Sequence, residues 1–284
     1  MERKKRVLVI GAGKRAQGAI IPALLGLSAE YEIVAVYARK KREIRVMGER
    51  FTIIDSLEQV DFSSLDLIIA AVTLASVPDV LRKLTKYDVR HIRIMLDTPV
   101  VRPRDIFSLR MLKNFRHASV SEDSIVLAPF LEAKRAGEIR EMRFIHSGYR
   151  YHALAAMKMM TGNNYVKRVI NKYANGKIAE RHFLFPGGAR GVIIEPRDYS
   201  IGKLEIAGSA GFFNYEFAGK SMADLKNKSL AKLIADEGLV YSAADGVYDM
   251  LAISCSEKLG KFFDFPTRQY SLLLSLIRFI IGHG

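Results

Sequence analysis

The sequence predicts a mixed α/β protein with two domains: a doubly wound parallel sheet, followed by an α+β domain with a mostly antiparallel, open sheet. From residue 6 to about 121, short β-branched runs alternate with helix-length segments, which is typical of parallel strands joined by helical crossovers. After residue 123, strand-like runs follow one another with short Gly-rich turns, which indicates antiparallel pairing. A length of 284 residues fits two domains better than one, and we predict domains at 1–122 and 123–284.

Hydrophobic periodicity locates the elements of both domains. In the first domain the predicted strands cover 6–10, 32–37, 67–72, 92–97 and 118–121, and the predicted helices cover 14–27, 41–50, 77–85 and 105–113. In the second, helices are predicted at 125–136, 152–161, 222–236 and 242–261, and strands at 141–147, 166–173, 178–184, 191–195, 199–207 and 211–217. The very apolar segment 270–281 is predicted to be a C-terminal helix that packs on the body or on a second subunit, in preference to a membrane surface.

Composition excludes several classes of protein. No run of about 18 apolar residues occurs, so no membrane span is predicted, and the apolar run at 7–10 is too short for an export signal, so we expect a cytoplasmic protein. The single cysteine, Cys255, excludes an intramolecular disulfide; we expect a packed thiol there and predict no metal site. A net charge of +14 attracts polyanions, but the basic residues are scattered and no nucleic-acid-binding motif occurs, so no nucleic-acid partner is expected.

A glycine-rich turn between the first predicted strand and the first predicted helix points to a ligand. It has the form Gly-x-Gly-x-x-Ala, in which Gly11 permits a tight turn, Gly13 lets the backbone approach a pyrophosphate and Ala16 lets the helix lie close to the strand. The N–H groups at the start of the helix, around Lys14 and Arg15, are suited to an anion. The pattern predicts a dinucleotide-binding Rossmann domain, with these five residues in the cofactor site.

The end of the second predicted strand indicates which dinucleotide binds. An NAD site needs an acidic residue there for the ribose hydroxyls, but no acid occurs before Glu43. Four consecutive cations, beginning with Arg39 and Lys40, stand where a 2′-phosphate would lie. A solvated helix start is the alternative, but cations at a helix N-terminus oppose the helix dipole. We therefore predict NADP as the cofactor, with NAD the less favoured choice.

Further segments resemble the glucose–fructose oxidoreductase, inositol dehydrogenase and rhizopine catabolism (Gfo/Idh/MocA) family over nearly the whole chain. Leu96-Asp97-Thr98-Pro99 stands where the family carries Glu-Lys-Pro, and Thr73 matches the residue that follows the family's fourth strand. The segment 152–162 matches the spacing of the family helix that opens with a catalytic histidine and closes with glycine, and 191–194 and 204–211 resemble its sheet strands. The resemblance implies that Thr73, Asp97, Thr98 and Pro99 lie at the cofactor, and that the open sheet forms a dimer face.

The chain departs from that family where acid–base chemistry is expected. The family lysine is Thr98 here, and the aspartate four residues before the family histidine is Gly148. His152 remains, and a histidine side chain suits a general acid near neutral pH, although a structural histidine at a helix start is an equal alternative. Tyr149 and Tyr151 are candidate replacement proton donors or packing aromatics; if the strand continues to Tyr151, both rings face the side opposite His152.

Two adjacent acids, Glu122 and Asp123, follow the last strand of the first domain. They either reach the cleft that the resemblance implies between the domains or cap the next helix, with Asp123 as its N-cap.

These observations leave three functional hypotheses. The first is an NADP-dependent oxidoreductase that moves a hydride between nicotinamide and a carbonyl, alcohol or imine carbon of a small metabolite, such as a sugar derivative, with His152 as proton donor and Thr98 as its hydrogen-bonding neighbour. The second is a dinucleotide-binding regulatory or scaffold protein without turnover. The third, a nucleic-acid or acidic-partner binder, is supported by charge alone. The resemblance further implies a homodimer or homotetramer.

Overall fold

A computed structural model describes residues 3–236, 241–259 and 267–282. Contacts between Cα atoms divide the described residues into two compact units. The first comprises Met1–Glu122, Lys226–Val247 and Arg278–Gly284, and the second comprises Asp123–Leu225 and Tyr248–Ile277. The change of unit at residues 122 and 123 coincides with the predicted domain boundary, whereas two later segments group with the first unit. The division into two domains at that boundary stays a prediction.

The first sheet has seven strands in the order β3-β4-β2-β1-β5-β6-β7. Its strands are β1 (Lys5–Ile10), β2 (Tyr31–Tyr37), β3 (Arg42–Val46), β4 (Glu49–Ile54), β5 (Leu67–Ala70), β6 (Arg93–Leu96) and β7 (His117–Val120). All neighbours pair in parallel except β3 and β4. The order β4-β2-β1-β5-β6-β7 is that of a doubly wound sheet, which confirms the predicted fold class. It brings the carboxyl ends of β1, β5 and β6 together at one edge.

The predicted helix at 41–50 is wrong, because these residues form the β3–β4 hairpin. Ile44 and Val46 are buried while Glu43 and Arg45 are exposed, an alternation of period two that suits a strand. Met47 and Gly48 turn the chain with φ of 51° and 87°. The helix-dipole argument for a bound phosphate therefore fails, although the basic run itself remains.

The helices of the first unit are shorter and less regular than predicted. After the glycine turn, Ala16–Ile20 wind as a π-helix and Ile21–Gly26 as α1, with Pro22 near the junction. Helix α2 covers Val77–Leu84, whereas the segment predicted as a helix at 105–113 is a 3₁₀ helix over Pro103–Asn114.

The second unit contains a six-stranded sheet in the order β13-β12-β8-β11-β10-β9. Its strands are β8 (Ile139–Ile145), β9 (Arg168–Ala174), β10 (Lys177–Leu184), β11 (Arg190–Ile194), β12 (Lys203–Gly208) and β13 (Gly211–Glu216). Only β8 and β11 pair in parallel among these strands, so the predicted mostly antiparallel sheet is confirmed. The helix predicted at 125–136 is instead α3 (Ala128–Ala133) between two 3₁₀ turns.

The remaining helices are α4 (Arg150–Thr161), α5 (Met222–Ala235), α6 (Ala243–Leu259) and α7 (Thr267–Ile281). Residues 260 and 261, which were predicted as the end of α6, lie outside the described residues. Cys255 is half-buried in α6, and burial raises the pKa of its thiol. No helix in the described part of the chain combines the length and apolar character needed to cross a bilayer.

Candidate dinucleotide site and ring cluster

Gly11 closes the turn after β1 in a conformation that only glycine accommodates. Its φ is +105°, and a Cβ atom at this position would overlap the carbonyl oxygen of Ala71. Its N–H donates a 2.8 Å hydrogen bond to the carbonyl of Tyr37 at the end of β2. The turn is therefore packed tightly against the carboxyl ends of two neighbouring strands.

Gly13 faces open space. A Cβ atom at this position would have no atom within 4 Å, outside its immediate chain neighbours. Gly13 and Lys14 are exposed, whereas Ala16 is fully buried and lets the helix approach the sheet. The first N–H groups of a helix have no partner within it, so this exposed turn presents donors to an anion. A crowded Gly11, which makes the turn tight, and an open Gly13, which lets a ligand approach the backbone, together suit the pyrophosphate of a dinucleotide.

Two side chains fix the carbonyl of Ala12 between these glycines. Gln17 Nε2 donates to it at 2.7 Å and Arg42 Nη2 at 2.9 Å. Arg42 is the first residue of β3, and Arg39 and Lys40 are exposed in the bend that precedes it. Arg42 thus contacts the glycine turn. The sequence identified Arg42 only as a member of the basic run and did not predict this contact.

Asp97 connects the glycine turn to the end of β7. Its Oδ1 accepts hydrogen bonds from Arg15 Nε at 3.1 Å and from Ser121 Oγ at 2.6 Å. The Asp97 side chain is 15% exposed and that of Arg15 is 32% exposed, so the ion pair is partly shielded from water. Thr98 and the cis-linked Pro99 follow directly. Sequence reasoning missed Ser121, because no local pattern shows which hydroxyl meets the carboxylate.

Thr73 lies on the loop after β5, and β5 is the strand that pairs with both β1 and β6. Its Oγ1 is 2.9 Å from Ser76 Oγ, and its carbonyl accepts a 2.8 Å hydrogen bond from the N–H of Ser76. The carboxyl-end loops of β1, β5 and β6 therefore carry Gly11, Thr73 and Asp97, as expected for a crevice at the edge of a doubly wound sheet.

In the second unit, His152 belongs to a cluster of three rings at the start of α4. The ring centroids of Tyr151 and His152 are 4.3 Å apart, and Tyr149 lies 5.8 Å from each of them. The strand stops at Ile145, so the condition under which both tyrosines would face away from His152 is not met. The carbonyl of His152 accepts a 3.0 Å hydrogen bond from Ser124 Oγ.

Gly148 has no room for the acid that the resembled family carries. A Cβ atom there would lie 2.8 Å from Phe144 Cβ and 3.1 Å from Ala153 Cβ. The close packing of Phe144 and Ala153 around this position therefore favours glycine over an aspartate. Glu122 and Asp123 are buried, and Asp123 begins the 3₁₀ turn Asp123–Val126, so it does not cap a helix at 125–136 as predicted.

Comparison with known proteins supports the fold. No protein-family model and no curated sequence matches the chain. Among solved structures, the aldose-aldose oxidoreductase from Caulobacter crescentus is similar with a TM-score of 0.64 at 12% identity, over 91% of this chain and 98% of that one. The UDP-N-acetylglucosamine 3-dehydrogenase from Acidithiobacillus ferrooxidans is similar with a TM-score of 0.62 at 12% identity, over 89% and 96%.

A levoglucosan dehydrogenase in complex with NADH is also similar, with a TM-score of 0.61 at 12% identity, over 91% of this chain and 98% of that one. Two of these three neighbours are dehydrogenases and the third is an oxidoreductase. At such identities the likeness shows the fold: a Rossmann-like sheet with a second, mostly antiparallel one.

Proposed function

We propose that the protein is an NADP-dependent oxidoreductase acting on a small metabolite. The observation that carries the proposal is the glycine turn: Gly11 admits no side chain, Gly13 faces open space, and both stand at the carboxyl end of the central strand of a doubly wound sheet. When bound, NADPH supplies a hydride for a carbonyl or imine carbon, or NADP⁺ accepts one from an alcohol. The names of the three structural neighbours support a sugar derivative as substrate.

The chain's own residues would then bind, orient and donate a proton. The backbone N–H groups of the turn from Gly11 to Ala16 would hold the pyrophosphate, next to Arg15, which donates a hydrogen bond to Asp97. Asp97 also fixes the strand end that presents Thr98 as a hydrogen-bond donor. His152 supplies the proton to the developing alkoxide, with Tyr149 and Tyr151 orienting its ring.

The decisive experiment is NADPH consumption in the presence of a panel of sugars, sugar acids and small ketones or imines. Substrate-dependent loss of absorbance from the reduced nicotinamide supports the proposal. The crowded Gly148 and the Thr98 replacement favour a second candidate, a dinucleotide-binding regulatory protein without turnover. Tight NADPH binding without consumption by any compound would favour that candidate.

The first prediction concerns cofactor choice. We expect tighter binding of NADPH than of NADH, because guanidinium groups bind phosphate in a bidentate manner. Replacing Arg39 or Arg42 with alanine should weaken NADPH binding about tenfold or more and leave NADH binding nearly unchanged. Dissociation constants for both cofactors measure this effect, with exposed Arg45→Ala on β3 as control. Equal affinities in the wild-type protein would refute the preference.

The second prediction concerns His152. His152→Asn should reduce kcat by about 100- to 10,000-fold while NADPH affinity stays unchanged, since asparagine keeps hydrogen bonding but cannot titrate. Thermal unfolding serves as the folding control. A folded variant that turns over within a few-fold of wild type would remove His152 from the mechanism and make Tyr149 or Tyr151 the candidate.

We also propose that the protein assembles as a homodimer or homotetramer. One face of α7 is buried, but Leu272, Leu276 and Phe279 are 66%, 55% and 77% exposed along the other face. This apolar stripe and the resemblance support self-association. We also keep the predicted cytoplasmic location as a proposal.

A further inference from the structure

An arginine stands beside the ring cluster that contains His152. The guanidinium carbon of Arg197, on the loop after β11, lies 4.7 Å from the ring centroid of Tyr149 and 5.5 Å from that of Tyr199. Contact with two rings restricts the guanidinium, and the N–H groups that do not bond the Tyr199 hydroxyl can bind a planar or tetrahedral anion. Tyr149 also contacts the His152 ring at 5.8 Å, so one tyrosine links the arginine to the histidine.

Among the described residues no carboxylate forms an ion pair with Arg197, although the buried Asp123 lies near enough to raise the pKa of the adjoining Tyr199. Asp198, the exposed neighbour of Arg197, is engaged elsewhere, since it accepts hydrogen bonds from Ser200 N–H at 2.9 Å and Ser200 Oγ at 2.7 Å. Arg150 also lies over the Tyr149 ring, at 5.7 Å, but it forms an ion pair with Glu257 at 3.7 Å. Of the two arginines over the Tyr149 ring, Arg197 is therefore the exposed one that forms no ion pair.

Tyr199 adds to the fixed geometry. Burial raises the pKa of its hydroxyl even though Arg197, within hydrogen-bonding reach, lowers it, so Tyr199 stays neutral. Its ring packs 5.6 Å from that of the buried Phe217. The surface on which Arg197 rests is thus anchored in the core of the second unit.

We infer that the substrate of the proposed reaction carries an anionic group, a carboxylate or a phosphate, and that Arg197 binds this group beside the ring cluster of His152. This inference rests on the proposed function. A charge-assisted, bidentate bond to a guanidinium holds such a group in one orientation. The net charge of +14 also attracts anions to the protein, which agrees with an anionic substrate. Arg197 would then select acidic metabolites over neutral ones of equal size.

The test uses inorganic phosphate and acetate as probes of the full-length protein, with and without saturating NADPH. The guanidinium Nε–H signal of Arg197 in ¹⁵N-labelled protein, identified by its loss in Arg197→Lys, should shift saturably, together with the His152 ring signals. Arg197→Gln should weaken phosphate binding at least about tenfold and keep the melting temperature, since the residue is exposed. Exposed Arg140→Gln in the same unit is the matched control and should bind as wild type.

A second arm compares glucose 6-phosphate, glucuronate and glucose, which share a ring and differ in charge. Stronger binding of one acidic compound identifies phosphate or carboxylate as the recognised group. An Arg197 signal unchanged through the titration, equal phosphate binding by Arg197→Gln, or equal affinity for glucose and both acids would overturn the inference. Because these readouts require neither turnover nor cofactor, failure of NADPH binding would count against the proposed function alone.

Discussion

Gly11→Ala should destabilise the first unit by about 3–5 kcal/mol and abolish NADPH binding. An alanine there must adopt a strained positive φ and force its Cβ against the carbonyl oxygen of Ala71. Urea unfolding followed by circular dichroism measures the stability, and a fluorescence titration of the reduced nicotinamide measures binding.

Gly13→Ala is the matched variant, because the same methyl group enters open space. We expect its unfolding free energy to stay within about 0.5 kcal/mol of wild type, while NADPH affinity falls at least about tenfold because the methyl occupies the place of the pyrophosphate. Gly18→Ala, on the helix with open space around it, controls for methyl addition in general and should bind NADPH normally. Normal binding by Gly13→Ala would contradict the assignment of the turn to the cofactor.

Lys158→Met should cost the protein about 3–5 kcal/mol of stability. Lys158 on α4 and Asp249 on α6 form a 2.9 Å ion pair in which the side chains are only 3% and 2% exposed. The lysine ammonium also lies 4.8 Å from the ring centroid of Tyr248. Removing the lysine takes away the positive charge that faces the buried carboxylate of Asp249, which is more costly than replacing both members of the pair.

The double variant Lys158→Met/Asp249→Leu tests that reason. It should recover most of the lost stability, since two apolar side chains of similar volume replace both charges. Chemical denaturation of the wild type, the single variants and the double variant completes a thermodynamic cycle. A Lys158→Met protein within about 1 kcal/mol of wild type would show that the pair contributes little.

Sequence reasoning succeeded where the signal was local and periodic. The β-branched runs that form strands, and the order of a parallel sheet before a mostly antiparallel one, both depend on short segments. It failed at 41–50, where Lys, Arg and Glu favour a helix by propensity. The alternation of Ile44 and Val46 with polar residues was the contrary signal, and packing of β3 on β4 prevails over propensity.

The candidate site shows the same limit. The tight turn at Gly11 could be predicted because such a turn is a backbone property of a few neighbouring residues, and the role of Gly11 and Gly13 in binding a cofactor stays a prediction. The contacts from Arg42 to Ala12 and from Ser121 to Asp97 join residues 30 and 24 positions apart, and no local pattern determines them. The ring cluster of Tyr149, Tyr151 and His152 depends on where β8 ends and α4 begins, which periodicity places only to within a few residues.

A crystal structure with NADPH bound tests the central claim most directly. We predict the pyrophosphate on the N–H groups of the turn at Gly13, the 2′-phosphate beside Arg42 or Arg39, and the nicotinamide ring next to Thr98. Density for the pyrophosphate away from the glycine turn, or no bound NADPH at saturating concentration, would contradict the assignment of this protein as a dinucleotide-dependent oxidoreductase.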